Sequence, residues 1–168
     1  MDELYSKVSK ITKQALYSFM KEEEISILNY HFQYYFDHCI RENKIEVISH
    51  HFSNRKIEGL TVIDELGISF SYEEDNHMTK RNFTLCHELG HFILKHDGAY
   101  FTESVDNQES LIEREANIFS AIVLMSDIVL LSKIYYSCDS FQKIKEDLKV
   151  SNQALSFRLL DLLRLYLE

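Results

Sequence analysis

The stretch that decides the fold is Arg81-Asn82-Phe83-Thr84-Leu85-Cys86-His87-Glu88-Leu89-Gly90-His91-Phe92-Ile93-Leu94. Its centre is the pattern H-E-x-x-H, and the apolar residues around it predict a helix over about residues 81–96. Two histidines four positions apart project from one face of a helix, so both imidazoles can reach one metal ion. The pattern therefore predicts a zinc site with His87 and His91 as ligands. Glu88 beside them is predicted to take a proton from an attacking water.

The length and composition of the chain fit one soluble globular domain. The chain has 168 residues, of which 45% are hydrophobic and 12% aromatic, enough to build a core. The apolar runs look shorter than the ~18 residues needed to span a bilayer, and charged residues near the start argue against a signal peptide. Three widely spaced cysteines argue for a reducing compartment. We therefore expect a cytoplasmic protein with no membrane partner.

The charge balance argues against tight binding to nucleic acid by the whole molecule. The formal net charge is −9, which opposes contact with phosphates. The chain also has no proline and only four glycines, a composition typical of helices joined by short polar turns.

Hydrophobic periodicity predicts a helix-rich α+β domain with a small, mostly antiparallel sheet. Helices are predicted over residues 3–21, 28–40, 81–96, 110–125, 127–136, 141–148 and 152–166, and strands over 45–49, 60–63 and 68–72. Residues 99–109 are predicted to form a loop, after a helix end at Gly98. Three regions follow from this order: an N-terminal helical region (1–44), a zincin-like core (45–136) and a C-terminal helical region (137–168).

Two histidines leave a zinc ion one protein ligand short. The metzincin extension would need glycine and histidine three and six residues after His91, where this chain has Leu94 and Asp97. The other common solution is a glutamate on a later helix. Glu113 is such a residue, and Asn117, one turn on, is placed to hydrogen-bond a ligand histidine.

Other interpretations of this segment remain open. Ser110-Leu111-Ile112-Glu113 is also a capping box, which would give Glu113 a purely structural role. Glu115 and Glu109 are the alternative ligands. The small residues Ala116 and Ser120 predict close packing of this helix against the metal helix.

The oxyanion that forms during peptide hydrolysis needs a hydrogen-bond donor besides the metal. The candidates are four side chains: Tyr72, His77, His96 and Tyr100. His96 lies five residues past His91, near the metal-binding face of the predicted helix but not aligned with it. A role as a cation at the helix C-terminus is an equal alternative for His96.

The last two predicted helices, 141–148 and 152–166, form a helix-turn-helix-like pair with Ser151 as N-cap. Basic and acidic residues nearly balance in this segment, and the second helix is richer in leucine than a recognition helix. We therefore expect the pair to be structural or to dock a protein partner, and we do not expect direct DNA binding.

Four segments together resemble the ImmA/IrrE family of bacterial metallopeptidases. They are RNFTLCHELGH (81–91), EREANIFSA (113–121), VLM (123–125) and LKVSNQALSFRL (148–159), and the resemblance covers about residues 45–165. The chain departs from the family pattern at Cys86, where alanine is usual, and at Ser126, where proline is usual. On this resemblance His87, His91 and Glu113 hold one zinc ion and Glu88 is the general base.

The resemblance also implies a biological role. The resemblance implies a protease that cuts a cognate helix-turn-helix repressor. This cleavage derepresses genes of a phage, an integrative element or a stress response. The expected activity is therefore that of a cytoplasmic, zinc-dependent, site-specific endopeptidase. The alternative hypothesis is a non-catalytic regulator that keeps the metal and binds a repressor or DNA.

Overall fold

The computed structural model describes residues 3–54, 56–96, 100–104 and 111–167. The helices are α1 (Glu3–Glu22), α2 (Phe32–Asn43), α3 (Met78–Ile93), α4 (Leu111–Leu124), α5 (Asp127–Tyr135), α6 (Phe141–Leu148) and α7 (Asn152–Leu167), with a 3-10 turn over Ile27–Asn29. The strands are β1 (Ile45–His50), β2 (Ile57–Asp64), β3 (Gly67–Glu73) and β4 (Tyr100–Ser104). The predicted helix-rich α+β fold is confirmed.

The strands form one mixed sheet in the order β1-β3-β2-β4. The predicted antiparallel pairing of β2 with β3 is confirmed. The turn between these strands is closed by Asp64, whose carboxylate accepts backbone hydrogen bonds from Leu66 (2.8 Å) and Gly67 (3.2 Å).

Two features of the sheet were not predicted. β1 pairs with β3 in parallel, within a sheet that is otherwise antiparallel, as expected. β4 pairs antiparallel with β2, so the predicted loop over 99–109 is wrong at residues 100–104. Both pairings join segments distant in sequence, and such contacts leave little trace in local hydrophobic periodicity.

Helix α3 lies between the sheet and α4, which it approaches closely at Gly90. A Cβ atom on Gly90 would lie 3.1 Å from the ring of Phe119 and 3.3 Å from the Cα of Ala116. The prediction that the small Ala116 permits close packing is confirmed. This short distance between helices brings side chains of α4 to the H-E-x-x-H face.

The C-terminal end of α3 comes earlier than predicted. The helix ends at Ile93 rather than near residue 96, and Lys95 adopts the left-handed conformation with φ 57°. The backbone N–H of His96 then donates to the carbonyl of His91 (3.1 Å), a bond that closes the last helical turn. Gly98, the predicted cap, lies outside the described residues. The early end turns His96 back toward the helix.

One buried hydrophobic cluster spans the predicted N-terminal, central and C-terminal regions. It contains Leu16 of α1, Phe70 of β3, Leu89 of α3, Phe119 of α4 and Leu155 of α7. The three regions therefore pack on a common core.

Segment Leu111–Tyr135, which covers α4 and α5, is long and apolar enough to cross a membrane, so the sequence prediction on apolar runs is wrong here. Most of this segment is buried inside the protein. Phe119, Val123 and Leu130 of this segment lie in the hydrophobic core.

The two helices predicted at the C-terminal end of the chain are confirmed as α6 and α7. Lys149 ends α6 in the left-handed conformation (φ 53°), and the hydroxyl of Ser151 accepts from the backbone N–H of Ala154 (3.0 Å). Arg158 fixes α7 to the rest of the protein, because its guanidinium donates to the Met125 carbonyl (3.0 Å), to the Tyr5 hydroxyl (2.9 Å) and to the carboxylate of Asp127.

Replacement of Arg158 by alanine should lower the free energy of unfolding by about 3 kcal/mol, since it removes a buried charge that has several partners. Arg158 is 2% exposed. The matched control is Arg164→Ala on the same helix, where the side chain is 79% exposed and lies 3.8 Å from Asp161. We expect that control to change stability by less than about 0.5 kcal/mol. Urea unfolding of both variants measures the difference, and equal stability would contradict the role of Arg158.

Candidate metal centre

His87, His91 and Glu113 converge on one point between α3 and α4. The Nε2 atoms of the two histidines lie 2.9 Å apart. Glu113 Oε2 lies 3.1 Å from His87 Nε2, and Glu113 Oε1 lies 3.5 Å from His91 Nε2. The structure therefore brings together the three residues that the sequence suggests as ligands.

The arrangement fits a tetrahedral zinc ion. With bonds of 2.0–2.2 Å, two ligand atoms of such an ion lie about 3.3 Å apart, close to the observed separations. Two imidazole nitrogens and a carboxylate are also the donor set of one class of catalytic zinc sites. These three side chains can hold a metal ion, and a fourth position of a tetrahedral ion would then remain for a water or a substrate.

The protonation of these groups favours metal binding. Burial lowers the pKa of His91, so its imidazole stays neutral and keeps a lone pair at neutral pH. Hydrogen-bonding contacts with the imidazoles of His87 and then His91 hold the pKa of the Glu113 carboxyl well below its ordinary value. The group is therefore an anion over the whole physiological range of pH.

Asn117 lies behind the first ligand histidine. Its Oδ1 atom is 3.0 Å from Nδ1 of His87, so it can accept the hydrogen on that nitrogen. This bond selects the tautomer in which Nε2 of His87 faces the metal position. The contact is the one that the spacing of Glu113 and Asn117 suggests.

Glu88 is fully buried on the sheet side of α3. Its carboxylate accepts a hydrogen bond from the hydroxyl of Thr61, which is itself 1% exposed on β2. Gly59, two residues earlier on the same strand, leaves room for the carboxylate: a Cβ there would lie 2.6 Å from Glu88 Oε1. Sequence reasoning missed Thr61 and Gly59, because only the sheet register shows which strand residues face α3.

The four oxyanion candidates lie in different places. His77 is the N-cap of α3, ten residues before His87 and so roughly 15 Å away along the helix axis, which argues against the predicted role. Tyr72 lies on β3 with the guanidinium of Arg81 over its ring, 5.9 Å from the centroid. The backbone of Tyr100 belongs to β4, and its side chain lies outside the described residues.

His96 has other partners than an oxyanion. Its Nδ1 lies 2.8 Å from Nδ1 of His91, and its Nε2 lies 2.9 Å from Oε2 of Glu115. Its two ring nitrogens thus face His91 and Glu115, and a role at the oxyanion stays a prediction. Glu115, an alternative third ligand, contacts His96 rather than the metal position, and Glu109 and Ser110 lie outside the described residues.

Cys86 is not part of the site. It is fully buried within the hydrophobic core, and burial raises the pKa of its thiol well above the ordinary value. Such a thiol is a poor metal ligand, because ligation requires the thiolate. The departure from alanine at this position leaves the site unchanged.

The described residues of α3 and α4 thus place His87, His91 and Glu113 in a group that could hold a metal ion. Residues 41–160 match the model of peptidase family M78, described as the IrrE N-terminal-like domain. The chain therefore belongs to the ImmA/IrrE family of metallopeptidases. No curated protein matches the chain significantly.

Proposed function

We propose that this protein is a zinc-dependent, site-specific endopeptidase that cleaves a cognate helix-turn-helix repressor in the cytoplasm and thereby derepresses the genes of a mobile element or a stress response. The observation that carries the enzymatic part is the convergence of His87, His91 and Glu113, and the buried Glu88 follows His87 directly in the chain. The repressor as substrate rests on the resemblance to the family.

The proposed chemistry assigns one role to each residue. Zinc held by His87, His91 and Glu113 would polarise the scissile carbonyl and lower the pKa of a water toward ~7. Glu88 accepts a proton from the water that attacks the carbonyl and later delivers it to the leaving amine. The hydroxyl of Thr61, which donates a hydrogen bond to Glu88, would orient the carboxylate for these transfers.

The surface suits a protein substrate of opposite charge. The net charge of −9 favours encounter with a basic, DNA-binding repressor through electrostatic steering. Helix α7 also exposes Phe157, Leu160 and Leu163 at intervals of three residues, on the side away from the core residues Leu155 and Leu162. This apolar stripe offers the repressor a docking surface.

The substrate is tested by incubating the protein with a helix-turn-helix repressor encoded beside its gene, and in parallel with casein. We expect one or two discrete cuts in the repressor and no appreciable cleavage of casein, because an unselective protease would be toxic in the cytoplasm. Mass spectrometry of the fragments locates the cuts.

The control is the same protein stripped of zinc and then reloaded. Cleavage should disappear on stripping and return on reloading. A repressor that binds but stays intact would instead support the non-catalytic regulator. Fragments that form equally without zinc would contradict the proposed chemistry.

A further inference from the structure

We propose that His96 and Glu115 are positioning residues of the metal centre, which fix the ring of His91 from behind through a continuous chain of hydrogen bonds. The inference rests on the proposed zinc site but concerns residues that the proposed chemistry does not use. The chain runs from His91 Nδ1 to His96 Nδ1 (2.8 Å) and from His96 Nε2 to Glu115 Oε2 (2.9 Å).

The backbone places His96 behind His91. A regular helix through residue 96 would turn this side chain away, because five residues correspond to about 500° of rotation. Instead α3 ends at Ile93, Lys95 is left-handed, and the N–H of His96 bonds to the carbonyl of His91. The imidazole of His96 therefore packs against that of His91, with 5.0 Å between ring centroids and an interplanar angle of 73°.

The direction of each hydrogen bond follows from the ligand atom of His91. Its Nε2 faces the metal position, so the hydrogen of the neutral ring is on Nδ1 and is donated to His96 Nδ1. The hydrogen of His96 must then be on Nε2, which donates to the carboxylate of Glu115. One assignment of the ring hydrogens satisfies both bonds of the chain, which ends at the carboxylate of Glu115.

Burial protects this chain from competition by water. The side chain of His91 is 1% exposed, that of His96 is 4% exposed, and that of Glu115 is 16% exposed. A carboxylate behind an imidazole orients the ring and raises its basicity toward a metal. His91 thus receives from His96 and Glu115 the support that His87 receives from Asn117, and both supports end on α4.

A merely structural role for His96 makes a different prediction. If it only caps the C-terminus of α3, its removal lowers the stability of the metal-free protein and leaves zinc affinity unchanged. The positioning role instead predicts a loss of zinc affinity that also follows replacement of Glu115, a residue of another helix.

The test is zinc affinity, measured by competition with a chromogenic chelator, in His96→Phe, Glu115→Ala, Glu115→Gln and the double variant His96→Phe/Glu115→Ala. Phenylalanine keeps a planar ring but removes both nitrogens. Glutamine keeps the acceptor for His96 but removes the charge. The matched control is His77→Phe, which removes the exposed histidine at the other end of α3. Thermal unfolding of each zinc-free protein is measured alongside.

We expect His96→Phe and Glu115→Ala each to weaken zinc binding about 10- to 100-fold, the usual effect of removing such a partner. The zinc affinity of the double variant should fall no further than that of His96→Phe alone, since both residues act through one chain of hydrogen bonds. Glu115→Gln should lose less zinc affinity than Glu115→Ala. His77→Phe should bind zinc as tightly as the wild type does.

Zinc affinity within about threefold of wild type in both Glu115→Ala and His96→Phe would overturn the inference and leave the metal centre intact. Additive losses in the double variant would also overturn it. If His96→Phe does not fold, the two Glu115 variants carry the test alone. A wild-type protein that binds no zinc would overturn the proposed function as well, so the two failures are distinguishable.

Discussion

Replacing Glu88 with glutamine should leave zinc binding and folding intact and reduce cleavage of the cognate repressor by several orders of magnitude. Glutamine has nearly the same size and can still accept the hydrogen bond from Thr61, so the buried site keeps its packing. It cannot accept a proton at neutral pH. Loss of a general base typically lowers rates by about 10²- to 10⁴-fold, and this loss should appear in kcat.

The measurement combines zinc stoichiometry and cleavage rate in one preparation of Glu88→Gln. Glu65→Gln, in the exposed turn between β2 and β3, is the matched control for the loss of one negative charge. Zinc content should be equal in all three proteins, and only the Glu88 variant should be inactive. Cleavage at the wild-type rate by Glu88→Gln would exclude the proposed mechanism.

The sequence predicts each of the helices α1 to α7 because each carries its own periodic signal, although α2 (Phe32–Asn43) begins and ends later than the predicted 28–40. The helix pair α6 and α7 has apolar residues at helical spacing and a serine N-cap, and its bounds come out within a residue of those predicted. The signal of the H-E-x-x-H helix is equally local, since two histidines four positions apart lie on one helix face and can bind one metal ion. Glu113 follows from chemistry rather than from pattern: a half-complete donor set requires another ligand.

The sheet was harder to predict, for a physical reason. β4 pairs with β2, which lies about 40 residues earlier in the chain. β1 pairs with β3, although β2 lies between them in the sequence. Such pairings depend on tertiary contacts that periodicity does not record. The roles of Thr61 and Gly59 were equally hard to predict, because these residues approach Glu88 only when β2 packs against α3.

The contact between His96 and His91 was not predicted because the predicted C-terminal end of α3 was wrong. In a helix that continues to residue 96, this histidine lies off the metal-binding face, so only a role at the surface or at the substrate suggests itself. The left-handed conformation of Lys95 reverses the chain there, although lysine carries no strong signal for it. Glu115, the partner of His96, lies on α4, so the spacing of residues within α3 cannot predict this contact.

Removal of the Glu113 carboxylate should have the largest effect on zinc retention. In Glu113→Ala the ion keeps only His87 and His91, and we expect it to be lost during dialysis against a weak chelator. The loss should exceed that of Glu115→Ala, whose carboxylate reaches the metal position only through His96 and His91. Zinc content after dialysis, measured by atomic absorption, ranks these variants.

Glu113→Gln separates the ligand role from the capping role. In a capping box, glutamine serves as well as glutamate at the helix position N3, which Glu113 would occupy. A residue that only caps the helix would therefore tolerate this change. Loss of the cap in Glu113→Ala would cost only ~1 kcal/mol of stability and would leave zinc bound. A metal ligand cannot tolerate either change, since a neutral amide replaces the anion that compensates the charge of the ion. We therefore expect both variants to lose zinc and only the alanine variant to lose helix stability, whereas full zinc occupancy in both would show that a different residue completes the site.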